Sequence, residues 1–273
     1  MPVILIDWSD VREQLRMMTL RASVSVQGRS VTLYERTFKF ADYNAPRSHN
    51  AFLAELAQVL PSHVCPLIVT DAGYRNTWFR EVERYGWFWL GRVRGDVGFL
   101  LANHAQWQSN KSLYPSATAK ARHIGYVKLG RKSPMCCHLH LYKAAPKYRA
   151  DKRSSKAGRN NTAQQSYRLG DLSPQYGMGL RQSRSRCPRR YDVLLLIALL
   201  AEILLWCIGL AARHLGWQRR FQANTTRDRN VLSVLRLGKE VRRRSEYSIK
   251  ESHFRWAWSE FLKLVNTSGR PEL

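Results

Sequence analysis

Acidic residues are scarce in this chain of 273 residues, which holds 20 Asp and Glu against 45 Lys and Arg, a formal net charge of +25. An imbalance of that size is self-repelling unless a polyanion lies nearby, which argues against an ordinary metabolic enzyme. A disordered basic tail is excluded because 44% of the residues are hydrophobic. Nucleic acid is therefore the first candidate partner, and an anionic membrane surface is the second.

Cysteine is also scarce, and the five residues are irregularly spaced: Cys65, Cys136, Cys137, Cys187 and Cys207. Their odd number in a long chain argues against a disulfide framework and favours a reducing compartment. Residues 136–140 (CCHLH) contain metal-ligating residue types, but no second Cys/His pair lies at zinc spacing, so we interpret them as an ordinary strand. Residues 1–6 show no secretory signal pattern, so none is expected.

Long apolar runs are absent except for residues 193–212, which form a run long enough to span a bilayer. Glu202 lies in the middle of this run, where a charge is expensive in lipid, and basic residues flank both ends. We therefore expect a core helix. A basic single-span membrane protein is the less favoured alternative.

The first 96 residues carry a regular succession of apolar patterns. Strand patterns occupy residues 3–6, 20–26, 31–38, 67–69 and 87–93, and helical spacing occupies 48–60 and 76–85. The resulting order, β-β-β-α-β-α-β, predicts the α/β class, with a mixed sheet covered by helices. The RNase H-like fold has this order.

Three regions follow from the patterning. Residues 1–96 form the first part of the sheet domain, and residues 97–175 form a β-rich insertion followed by a basic loop, of which 152–165 is predicted to be mobile. Residues 176–273 form the helical remainder, ending in one or two amphipathic basic helices. Residues 143–190 hold thirteen Lys and Arg against two Asp, so the positive charge is concentrated there.

Two aspartates come directly after apolar strand patterns, Asp7 after VILI and Asp71 after LIVT. The carboxyl ends of adjacent strands form the reactive edge of an α/β sheet. Two carboxylates placed there repel each other unless they share a proton or bind cations. A pair of Mg²⁺ ions is the usual occupant in nucleic-acid chemistry. The alternative is that both aspartates merely cap strand ends.

Several long stretches resemble the "insertion sequence four" family of DDE transposases: MPVILIDWSDVREQ, PLIVTDAGYR, YGMGLRQSR and FQANTTRDRNVLSVLRLG. The resemblance implies an RNase H-like core that cuts and joins double-stranded DNA at transposon ends with Mg²⁺. It places the family's first two catalytic acids, which are metal ligands, on Asp7 and Asp71. Asp10 is expected to face away from Asp7 as a cap or a solvated acid. The residues expected near the DNA backbone are Arg92, Arg94, Arg181, Arg184 and Arg186.

The family's third acid, a Glu in a Tyr-x2-Arg-x3-Glu-x6-Lys signature, has no match. No Tyr in this sequence has an Arg three residues later. Residues 172–175 run straight into the stretch that follows the signature helix in the family, so this helix is predicted to be deleted. The family's N-terminal DNA-binding domain is also expected to be missing, since Met1 lies almost at the strand of Asp7.

These departures predict a truncated and catalytically impaired transposase in the bacterial cytoplasm. Glu202 could replace the third acid, although a buried lone Glu is more often neutral or hydrogen-bonded. The alternative function is a non-enzymatic DNA-binding remnant. Self-association, or association with an intact transposase, is a further partner expectation.

Overall fold

The computed structural model describes residues 1–12, 17–26, 29–102, 104–143, 185–222 and 230–267. The predicted mobile loop 152–165 and the candidate DNA-binding residues Arg181 and Arg184 lie outside these residues. Within the described part, nine strands form two sheets, and five α-helices accompany them. The chain is therefore of the mixed α/β kind expected from its sequence.

The first sheet has five strands in the order β3-β2-β1-β4-β5. Its strands are β1 (Val3–Arg12), β2 (Met17–Val26), β3 (Arg29–Lys39), β4 (Leu67–Thr70) and β5 (Phe88–Gly91). Strands β1, β2 and β3 are antiparallel to one another, whereas β4 and β5 run parallel to β1 and to each other. Helix α1 (Pro46–Val59) precedes β4 and α2 (Asn76–Arg84) precedes β5, so the predicted order of elements is observed.

Strand β1 is longer than its apolar run predicted. Only residues 3–6 pair with β4, but β1 continues to Arg12 because its second half pairs with the antiparallel β2. Asp7 therefore lies within a strand rather than after one, at the point where the parallel neighbour ends. Asp10 also lies inside β1, where it is exposed, so it is not a strand-end cap.

The main core lies between this sheet and helices α1 and α2. Alternate residues of β1 face it, and Ile4 and Ile6 are almost completely buried. Its other large members are Leu20, Phe52, Leu53, Leu56, Ile68, Trp78 and Val82. Helix α1 begins at Pro46, where a missing N–H is harmless, and ends just before Leu60 and Pro61. These contacts fix the ends of β1 and β4 relative to each other.

Three further helices complete the described chain: α3 (Pro188–His214), α4 (Val234–Arg242) and α5 (Glu251–Thr267). Helix α3 begins five residues before the predicted run, with Pro188 in its first turn. Its Asp192 accepts a hydrogen bond from the backbone N–H of Thr37, with 2.7 Å between Oδ1 and N. This bond joins α3 to the edge strand β3.

Helices α3 and α4 approach each other closely at two glycines. A Cβ atom on Gly209 would overlap the backbone carbonyl of Val234, and one on Gly238 would overlap that of Leu205. Both glycines are buried. The helix crossing therefore requires positions without side chains.

One face of α3 is buried and the opposite face is open. Tyr191, Leu195 and Ala198 are buried, whereas a stripe at helical spacing is about half exposed: Val193, Leu196, Ile197, Leu200 and Leu204. Among the described helices, α3 alone is long and apolar enough to cross a membrane, with a mean hydropathy of 2.7, and 39% of that window is buried. Its inner face packs on the rest of the fold, and its outer face is exposed.

The predicted β-rich region forms a second, antiparallel sheet in the order β7-β6-β8-β9. Its strands are β6 (Gly98–Leu101), β7 (Gln108–Ser109), β8 (Arg122–Leu129) and β9 (Met135–Leu141). Phe99, Val127 and Leu139 form its small core. Asn76 of α2 donates from Nδ2 to the carbonyls of Leu129 (2.9 Å) and Ser133 (2.6 Å), which ties this sheet to α2.

Candidate active site

Asp7 and Asp71 lie side by side at the point where the parallel pairing of β1 and β4 ends. Strands β1 and β4 are parallel, and Ile6 and Thr70 form their last register pair, so each aspartate is the next residue on its strand. Neighbouring strands lie about 4.8 Å apart, which brings the two carboxyl groups close to each other. The structure thus brings together the two acids that the sequence singled out.

The environment of Asp7 makes its negative charge unfavourable. Burial, followed by the neighbouring Asp71 carboxylate, raises the pKa of Asp7 from 3.8 to about 6, against smaller opposing effects of the Trp8 backbone N–H and of Arg21. Two ionised carboxylates placed next to each other repel. A bound cation would relieve this repulsion, so the pair has the electrostatics of a cation site.

A tight turn holds the Asp71 side chain in place. Its Oδ1 accepts a hydrogen bond from the backbone N–H of Gly73 at 2.8 Å, and the Gly73 carbonyl accepts one from Asn44 Nδ2 at 3.1 Å. A Cβ atom on Gly73 would lie only 3.0 Å from Asp71 Oδ1. Glycine at this position therefore lets the carboxylate fold back onto the turn.

Two tyrosines that sequence reasoning missed lie within electrostatic range of the carboxylate pair. The pKa of Tyr43 is raised by burial and then by Asp71, Asp7 and Asp10. The pKa of Tyr74 is raised well above its usual value by burial and then by Asp7 and Asp71. Tyr74 lies only three residues after Asp71 and could have been suspected, whereas Tyr43 carries no local signal.

An aromatic cluster positions these tyrosines. Trp8 Nε1 donates a hydrogen bond to His49 Nε2 at 3.2 Å, and burial lowers the pKa of His49 to about 4. His49 is therefore neutral and adds no positive charge behind the carboxylates. Its ring stacks on Tyr74 at 5.4 Å between centroids, and Trp8 lies edge-on to Tyr43 at 5.2 Å.

A buried ion pair lies beside Asp7 on the neighbouring strand. Arg21 is the β2 partner of Asp7 in the antiparallel register. Its Nε lies 2.7 Å from Glu35 Oε2, and both side chains are more than 90% buried. Since Glu35 already compensates the guanidinium charge, Arg21 lowers the pKa of Asp7 only weakly.

A third metal-ligating side chain does not join the pair within the described residues. No group of three or more His, Cys, Asp or Glu side chains in that part of the chain is arranged to hold a metal ion. Glu202 is buried on α3, and in the described part of the chain it does not form such a group with Asp7 and Asp71. The two carboxylates can coordinate a cation such as Mg²⁺ but leave most of its coordination shell to water.

The candidate DNA-binding arginines are only partly placed. Arg92 and Arg94 are exposed just after β5, and the pKa of Arg92 is lowered by partial burial and by Arg94, while Asp71 opposes this shift. Arg92 therefore lies within electrostatic range of Asp71, and Arg94 lies within electrostatic range of Arg92. Arg186 is exposed just before α3. Arg181 and Arg184 lie outside the described residues.

Comparisons with protein-family models, with curated proteins and with solved structures give no match. The placement of Asp7 beside Asp71 and the net charge of +25 are therefore the features from which a function can be inferred.

Proposed function

We propose that this chain is a DNA-binding transposase of the "insertion sequence four" DDE type whose metal site is incomplete. The observation that carries the proposal is the register of β1 and β4, which puts Asp7 and Asp71 next to each other where the parallel pairing of these strands ends. The strand order β3-β2-β1-β4-β5, with its first three strands antiparallel, supports an RNase H-like core.

The chemistry we propose is metal-assisted phosphodiester cleavage and transfer. Mg²⁺ supplies an activated water and stabilises the leaving 3′ oxygen in sites of this kind. Asp7 and Asp71 would hold the ion, and water would fill the rest of its coordination shell. Since no third carboxylate joins the pair in the described residues, we expect weak cation binding and impaired catalysis.

The DNA contact we propose is electrostatic. A net charge of +25 provides affinity for the phosphate backbone without reading its sequence. Arg92 and Arg94 are exposed just after β5, Arg92 is within electrostatic range of Asp71, and both would contact phosphates near the carboxylate pair. The bacterial cytoplasm is the compartment that fits this function.

DNA binding is tested by fluorescence anisotropy with a labelled duplex over a series of salt concentrations. We expect binding that weakens steeply with salt, and a larger loss for Arg92→Ala/Arg94→Ala than for the control Arg242→Ala/Arg243→Ala. The control removes two exposed charges from α4 and the residue after it. Failure to bind duplex DNA even at low salt would contradict the proposal.

Catalytic impairment is tested with duplex DNA that carries the ends of the chain's own element, incubated with Mg²⁺ or Mn²⁺. We expect that the purified chain alone neither cleaves nor joins these ends. Clear strand cleavage that Asp7→Ala abolishes would show a complete active site and overturn this part of the proposal. Binding without cleavage agrees with both the impaired transposase and the non-enzymatic remnant.

A further inference from the structure

Three histidines gather on one face of the second sheet, away from the carboxylate pair. His123 lies opposite His140 in the register of β8 and β9, and His138 lies two residues before His140 on the same strand. Alternate residues of a strand share a face, so strand pairing collects all three imidazoles. All three side chains are exposed to solvent.

The nitrogen atoms of two of these rings are at ligand spacing. His123 Nε2 lies 3.1 Å from His138 Nδ1. Two imidazole nitrogens bound to one tetrahedral Zn²⁺ at 2.0–2.1 Å would lie about 3.3 Å apart. The ring of His140 is also near, with its centroid 4.9 Å from that of His123. The spacing of these two nitrogens is therefore close to that of two zinc ligands, and both exposed rings would turn to aim their lone pairs at one ion.

The third ligand needs a ring rotation. The described residues contain no group of three metal-ligating side chains already arranged around one point. His140 is exposed and next to His123, so its ring can turn without disturbing the core. Water can occupy the remaining position, as it does in open zinc sites.

We propose that His123, His138 and His140 form a surface binding site for Zn²⁺. Imidazole ligands favour zinc and related late transition metals, whereas the carboxylate pair Asp7 and Asp71 favours Mg²⁺ or Mn²⁺. The two sites are thus chemically separate. Sequence reasoning missed this one because it looked for a second Cys/His pair at conventional zinc spacing, whereas His123 reaches the other two through strand pairing.

A bound ion would cross-link β8 to β9, because its ligands come from both strands. Among the described residues, strand β9 is an edge strand of the second sheet, with β8 as its one strand neighbour. Since the metal binds the folded hairpin better than the unfolded chain, it stabilises the fold by mass action. Zinc should therefore raise the thermal unfolding temperature.

The test is a zinc titration of the full chain after removal of metal by a chelator, followed by competition with a chromophoric zinc indicator. We expect one zinc equivalent that weakens by at least about tenfold in His123→Gln or His138→Gln. His104→Gln is the matched control, since His104 is an exposed histidine outside the cluster. Asp7→Asn/Asp71→Asn should keep zinc binding, which separates this proposal from the proposed function.

Two further readouts keep the test decisive. Bound Cu²⁺, used as a probe, should show nitrogen hyperfine splitting in its electron paramagnetic resonance spectrum, and His138→Gln should change it. Zinc should raise the unfolding temperature of the parent chain and of His104→Gln but not of His138→Gln, provided that circular dichroism shows the variants folded. Equal zinc affinity in His138→Gln and the parent chain, or no zinc binding, would overturn the proposal.

Discussion

At the scale of single residues, the surroundings of Asp7 disfavour its ionised form, and this lowers the stability of the native state. Its carboxylate lies in a partly buried position beside Asp71, and its β2 register partner, Arg21, is already bound to Glu35. Folding therefore favours the protonated form of Asp7. A group that is unfavourable for folding but well placed to bind a cation is typical of a functional site.

Replacing Asp7 by Asn should stabilise the metal-free chain in a pH-dependent way. The pKa of Asp7 is raised from 3.8 to about 6, so the native state loses stability as the pH rises through this range. We expect Asp7→Asn to raise the free energy of unfolding at pH 8 by about 1–2 kcal/mol, with the gain vanishing near pH 4. Urea unfolding with chelator at both pH values measures this.

Asp10→Asn is the matched control for this prediction, because Asp10 is an exposed acid on the same strand. It should change stability little at either pH. An Asp7→Asn variant that is less stable than the parent chain at pH 8 would contradict the electrostatic account of the site.

Tyr74 provides a second prediction at this scale. Its hydroxyl is buried without a hydrogen-bond partner among the described residues. Tyr74→Phe should therefore leave the free energy of unfolding unchanged or raise it by up to about 1 kcal/mol. By contrast, the Tyr34 hydroxyl donates to Glu55, so Tyr34→Phe should lower it by about 1 kcal/mol. Chemical denaturation of both variants measures their free energies of unfolding. An equal decrease in Tyr74→Phe and Tyr34→Phe would contradict this prediction.

At the scale of elements, the crossing of α3 and α4 depends on two glycines. Alanine normally favours a helix over glycine by about 1 kcal/mol. At Gly209 and Gly238 we expect the reverse, because the new methyl group would overlap a backbone carbonyl. Each alanine variant should lower the free energy of unfolding by about 1–3 kcal/mol. Thermal or urea unfolding measures the loss, with exposed Ser259→Ala on α5 as control. A stabilising Gly238→Ala would show that the helices do not cross so closely.

The two faces of α3 should respond differently to substitution. Leu195 is buried, and Leu195→Ala should lower the free energy of unfolding by about 2–5 kcal/mol. Leu200 is 58% exposed, and Leu200→Gln should change it by less than about 0.5 kcal/mol. Both are measured by denaturation of the purified chain. Recovery of the parent chain only with membranes, and release of the Leu200→Gln variant, would favour the membrane-spanning alternative.

The sequence predicted the elements more fully than the site. Apolar periodicity reports which face of a segment is buried, so the strand and helix order up to residue 91 followed from it. It could not show that β1 continues past Asp7, because residues 7–12 owe their strand structure to pairing with β2. Tyr43, the Arg21–Glu35 pair and the histidine cluster were missed for the same reason: tertiary pairing, and not local pattern, assembles them.

At the scale of the whole molecule, the excess of positive charge predicts how DNA binding depends on salt. Each phosphate neutralised by a Lys or Arg contributes a slope of about −0.9 to the logarithmic dependence of affinity on salt. We expect Arg92→Ala/Arg94→Ala to make this slope shallower by about 1–2, since both side chains are exposed and Arg92 is within electrostatic range of Asp71. Anisotropy titrations between low and moderate salt measure the slope. An unchanged slope would place the DNA elsewhere on the molecule.

The central claim is that Asp7 and Asp71 together form a site for a hard divalent cation. Mn²⁺ binding to the full chain, followed by electron paramagnetic resonance of the free ion, tests it most directly, because Mn²⁺ prefers carboxylate oxygens to imidazole. We predict weak binding that Asp7→Asn and Asp71→Asn each abolish and that Asp10→Asn and His138→Gln leave intact. Undiminished Mn²⁺ binding in both Asp7→Asn and Asp71→Asn would contradict the claim.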